Sequence, residues 1–81
     1  MDIKEKVKDI LSELSGKESV EIEESLQGDL GFDSILMVTM LVQIEDVFGI
    51  ELNESDMNPF DLKTVQSVID LVDKYFNNKS E

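Results

Sequence analysis

The chain has 81 residues, nineteen acids against seven lysines, and a formal net charge of -12. That length makes one domain with a limited core, and the negative charge excludes a nucleic-acid binder, which needs the opposite sign. The absence of cysteine, histidine and arginine excludes disulfides, chain-borne thiol chemistry, the commonest general base and the bidentate phosphate fork.

The charge is unevenly placed. Residues 18–62 hold twelve Asp and Glu and no lysine, and the lysines stand at 4, 6, 8, 17, 63, 74 and 79. Such a block is either a solvated acidic surface or a field that steers basic partners. Met1 opens the charged stretch "MDIKEKVKD", which has no signal-peptide core. The longest apolar run, 35–42, is interrupted by Thr39 and is too short to span a bilayer. These features predict a cytoplasmic protein with no membrane span.

In chain order, Ile3, Val7, Ile10, Leu11 and Leu14 recur at helical spacing. They predict a helix over 3–15, capped by Asp2 with Glu5 three residues on, and stopped by Gly16. Residues 17–33 form a long connection, whose Val20, Ile22, Leu26, Leu30 and Phe32 are expected to pin it to the core. A second helix is predicted over 34–48, with Asp33 as N-cap and Gly49 as its stop. Phe32 and Met37 take the two positions of a hydrophobic staple around that cap. A short helix fits at 54–58, ahead of Pro59. The last helix is predicted from Val65 to Phe76 behind an N-cap at Thr64, and the tail 77–81 is expected to fray. "VEI" at 20–22 alternates but cannot build a sheet alone. The fold class is all-α: residues 1–81 as a single domain, a small four-helix bundle of three long helices and one short, with a long loop between the first two.

The stretch "GFDSI", 31–35, stands out. Asp33 is explained by capping, whereas a serine at position 34 is not required for it. A phosphate on the Ser34 hydroxyl would sit beside free backbone N–H groups and the positive end of the helix dipole. Hydrolytic catalysis by Ser34 lacks a histidine base, and the stretch is not the G-x-S-x-G elbow. Asp29, Gly31 and Asp33 have the look of a calcium loop, but the twelfth position is Met40, so no metal site is expected.

"DLGFDSILMVTMLVQIEDVFGIEL" resembles the phosphopantetheine attachment region of the acyl carrier protein family, and "LKTVQSVIDLV" resembles that family's last helix. The resemblance spans nearly the whole chain. It implies a free-standing, monomeric carrier whose Ser34 receives 4′-phosphopantetheine from coenzyme A. Gly31, Asp33 and Ile35 would form the motif read by a phosphopantetheinyl transferase, which supplies the Mg²⁺ and the base. The arm's thiol, the only one in the protein, would hold acyl groups as thioesters for fatty-acid or polyketide-type synthesis. The carrier itself would catalyse nothing. Ile35 stands where the family usually has leucine, and Leu36 and Thr39 stand where carriers of primary fatty-acid synthesis often have acids. Asp33 fits acyl carriers better than peptidyl carriers, which often have histidine there. An aminoacyl, peptidyl or D-alanyl carrier is the neighbouring reading, and an acidic helical interaction module without a prosthetic group is the distant one.

The wheel of the second helix puts Met37, Met40, Leu41, Ile44 and Phe48 on a core stripe. Ile35, Val38 and Val42 project from the opposite side, with Thr39, Glu45 and Asp46 among them. That side is either covered by Leu26 or Leu30 of the long connection, or it docks partners. Docking predicts Leu36, Val38, Thr39, Val42, Glu45 and Asp46 as the contact face for acyl-loading and chain-processing enzymes with basic surfaces.

Overall fold

The computed structural model describes residues 2–53 and 62–78, and within them it contains three helices and no strand. Helix α1 is Ile3–Ser15. Asp2, in extended conformation, accepts the Lys4 N–H at 3.1 Å through its side chain, and Gly16 closes the helix at φ 80° with its N–H on the Ser12 carbonyl. Only glycine takes that left-handed turn without strain. Helix α2 is Ser34–Phe48, with Asp33 as N-cap and Gly49 at φ 65° as stop. Helix α3 is Val65–Asn78. Thr64 and Ser67 exchange bonds at its start: the Ser67 N–H donates to the Thr64 hydroxyl and the Thr64 N–H to the Ser67 hydroxyl, both at 3.3 Å. Helix α3 runs past the expected Phe76 to Asn78. The short helix expected at 54–58 and the tail 79–81 lie outside the described residues.

Helix α1 packs against both α2 and α3. The rings of Phe48 and Phe76 meet edge to face, 5.6 Å between centroids, and join the ends of α2 and α3. Val7 and Leu11 from α1, Met37, Met40, Leu41 and Ile44 from α2, and Val65, Val68 and Val72 from α3 are fully buried. Among the described residues no polar or charged side chain is buried, so the core is held by apolar burial alone.

The connection over 17–33 carries neither helix nor strand. Val20, Leu26, Leu30 and Phe32 are buried in the same core, and Ile22 packs against it half-buried. Leu26 and Leu30 thus enter the core instead of covering the outer face of α2. The connection is also stitched to the start of α3. Leu26 N–H donates to the Lys63 carbonyl at 2.9 Å, Val65 N–H to Glu24 and Gln66 N–H to Ile22, both at 3.0 Å. Ser25 and Thr64 form an isolated antiparallel bridge there. At its other end, the Lys17 ammonium pairs with Glu24, whose second oxygen accepts the Glu21 N–H at 2.8 Å. These two donors hold the Glu24 carboxyl below the usual glutamate range, the Lys17 bond first.

Candidate functional site

Ser34 opens α2 and is exposed. Three local features place it. Gly31 bends the chain at φ 70°, where a side chain would meet no neighbour but the backbone itself would be strained. Phe32 then turns inward and is 3% exposed, an anchor two residues ahead of the serine. Asp33 stays extended (φ -99°, ψ -175°), and its Oδ1 accepts the Leu36 N–H at 2.8 Å while its carbonyl accepts Met37 N–H at 2.9 Å. Phe32 and Met37, the two staple positions, are both buried in the core.

The geometry of a helix start leaves the N–H groups of residues 34 and 35 without intrahelical carbonyls. Asp33 has taken that of Leu36. A phosphodiester on the Ser34 oxygen would therefore lie beside two unpaired donors at the positive end of the helix dipole, with no charged residue following until Glu45. The residues present fit the attachment of a phosphate-linked group. No cluster among the described residues has the composition to hold a metal ion, and no described helix is long and apolar enough to cross a membrane.

Beyond Ser34, the outer face of α2 is apolar. Ile35 is 76% exposed, Val38 49% and Val42 52%. Thr39 sits among them, exposed, its hydroxyl donating to the Ile35 carbonyl at 2.9 Å. Leu36 is half-buried and packs against the core. The acids come only in the last turn. Asp46 is exposed, while Glu45 is half-buried and its Oε2 accepts the Leu52 N–H at 2.8 Å. Glu45 thus has a structural duty that its place on the helical wheel does not disclose. Val42, Glu45, Asp46, Ile50 and Glu51 line an open depression at this end, so Ile50 and Glu51 join the face although neither was expected on it. The alternation of Ile50, Glu51 and Leu52 after the Gly49 stop was the available signal: Leu52 is buried, and Glu51 is exposed.

The chain was compared with known proteins. A family model described as "Phosphopantetheine attachment site" matches residues 5–72. An acyl carrier protein of Micrococcus luteus is 37% identical over 67 residues, which cover 80% of each chain. One of Thermobifida fusca is 38% identical over 68 residues, covering 82% of this chain and 84% of that protein. Among solved structures, a candidate acyl carrier protein from Mycobacterium tuberculosis superposes with a TM-score of 0.82 at 25% identity, over 93% of this chain and 100% of that one. With that superposition and a family match running from α1 into α3, the chain belongs to the acyl carrier protein family, the carriers built around a phosphopantetheine attachment site.

Proposed function

We propose that Ser34 is the residue of this carrier that receives 4′-phosphopantetheine. The observation that carries the assignment is an exposed serine hydroxyl at the first position of α2, behind an Asp33 cap that leaves two backbone donors for a phosphate. In the loading step the Ser34 oxygen attacks the phosphorus of coenzyme A that bears the pantetheine. One phosphodiester bond forms, the pyrophosphate bond breaks, and the nucleotide half departs. The hydroxyl proton passes to a base on the transferase, since this chain has no histidine to take it. Once attached, the arm supplies a terminal thiol that holds acyl groups as thioesters. The chain's own residues then present and orient, and the chemistry belongs to the partner enzymes.

The docking face is proposed to be the outer side of α2: Ile35, Val38, Thr39 and Val42 near the serine, then Glu45 and Asp46, continued by Ile50 and Glu51. Leu36 supports its edge. Exposed valines in line with Ser34 support this reading, because apolar side chains left in water on one stripe are normally used. Along α2 partners would meet the Asp33 carboxylate beside the serine, then an uncharged stretch, and further acids only at the far end.

The test is intact-mass analysis after incubation with coenzyme A and a phosphopantetheinyl transferase of broad specificity. One adduct on the wild type and none on Ser34→Ala is expected. A folded wild type that stays unmodified, or an adduct that persists in Ser34→Ala, would sink the assignment.

A further inference from the structure

The connection ahead of Ser34 closes on itself between Ser25 and Phe32. Ser25 N–H donates to Asp29 Oδ2 at 2.8 Å, and Asp29 N–H returns to Ser25 Oγ at 2.9 Å and to the Ser25 carbonyl at 3.1 Å. Leu30 N–H also donates to the Ser25 carbonyl, at 3.0 Å, and Phe32 N–H donates to the Leu26 carbonyl at 2.8 Å. Leu26 is in turn bonded to Lys63, so the turn rests on the start of α3. Gly28 completes the packing. A Cβ there would come within 2.6 Å of Ser25 Oγ, although its φ lies outside the region that strains other residues. The whole assembly ends at Phe32, which leaves Asp33 as the single link to Ser34.

We infer that Ser25 and Asp29 are positioning residues for modification of Ser34: their reciprocal bonds close the turn whose Leu26 carbonyl holds the Phe32 N–H, and through Phe32 they set where the serine hydroxyl stands relative to a partner docked on α2. The inference rests on Ser34 being the attachment residue. Docking fixes the partner against the body of α2, whereas reaction needs one oxygen placed within a fraction of an ångström. A loosened turn lets the first residues of α2 fray, because their N–H groups have no intrahelical bonds to keep them. The side chains of Ser25 and Asp29 are occupied within the turn, so their loss should leave docking intact and impair the chemical step.

The experiment measures transferase kinetics on Asp29→Ala, Asp29→Asn and Gly28→Ala, each with its melting temperature. Asp29→Ala removes the acceptor for Ser25 N–H, whereas Asp29→Asn keeps an acceptor oxygen and removes the charge. Gly28→Ala retains both side chains but displaces the Ser25 hydroxyl from its bond. The expected result is a fall in kcat of about tenfold for Asp29→Ala and Gly28→Ala with KM within about twofold, and recovery to near wild type in Asp29→Asn. Wild-type kcat in folded Asp29→Ala and Gly28→Ala overturns the inference while leaving the role of Ser34 standing. Equal impairment of Asp29→Asn and Asp29→Ala also overturns it, because charge and not the hydrogen bond would then matter. So does unfolding of all three variants, which would make the turn a matter of stability alone. A wild type never modified at Ser34 overturns both this inference and the reading beneath it.

Discussion

Replacing Val42 with aspartate separates a docking face from a core face. The side chain is 52% exposed, so a partner can newly cover only that exposed half of a residue whose full burial is worth about 1.5–3 kcal/mol. The apolar loss is then about 1 kcal/mol, or roughly fivefold in affinity. A carboxylate carried into the interface adds a desolvation cost, so the total should reach about tenfold or more. Within the free protein the same change places a like charge four residues before Asp46, which costs about 0.2–0.5 kcal/mol. Losing the half of the valine already buried adds about 1 kcal/mol, so for a domain of this size the melting temperature falls by roughly 5–12 °C. The assay is steady-state modification of Ser34, with circular dichroism on the same samples. KM should rise about tenfold while kcat, helicity and cooperative melting persist. Unfolding of Val42→Asp would put Val42 in the core, and an unchanged KM in a folded variant would remove it from the docking face.

Three further outcomes are expected. Glu45→Ala should lower the melting temperature by several degrees, because it strips Leu52 N–H of its acceptor at a cost of about 1 kcal/mol, and Glu45→Gln should restore most of it; equal loss in both variants would count against the hydrogen bond. Glu24→Gln should melt below the wild type at neutral pH. The Glu24 pKa is lowered in the folded state, so its stabilisation is present above the unfolded value and disappears as pH falls through the folded one. The gap between the two proteins should therefore close below the ordinary glutamate range, and a gap that persists in strong acid would contradict the pairing with Lys17. Raising the ionic strength from low to about 0.1 M should raise the melting temperature, since twelve acids across 18–62 face no lysine in that block and screening acts over about 10 Å; a flat salt response would show that solvation already neutralises the repulsion.

Both bounds of α1 and α2 could be read from the sequence because their signals are local. Asp2 and Gly16, and Asp33 and Gly49, act on backbone groups within a turn of themselves. The buried stripe of α2 follows from spacing alone, and the proposal of Ser34 as the attachment residue starts from its neighbours in "GFDSI". What could not be read depends on pairings between distant segments. The stitching of 22–26 to 63–66 uses backbone groups, which every residue possesses, so no side chain announces it. Glu45 looked like a free acid because its partner is a backbone N–H seven residues on, beyond the end of the helix. Tyr75 likewise accepts the Asn53 N–H at 2.8 Å, across 22 positions, and neither residue hints at the other. Gly28 reads as an ordinary loop glycine until the Ser25 hydroxyl is seen beside it.

The bridge between Ser25 and Thr64 joins the first third of the chain to the last. Pairings of that span are slow to form, because a long loop must close before they return any stabilisation. A polypeptide leaving the ribosome exposes Ser34 while Lys63 and Val65 are still inside the exit tunnel, and domains fold as their segments emerge. Until then the turn ahead of the serine has nothing to rest on. The folded carrier and the emerging chain therefore differ at the very residue proposed for modification, and the bridge makes emergence of residues 63–66 a precondition for a fully braced site.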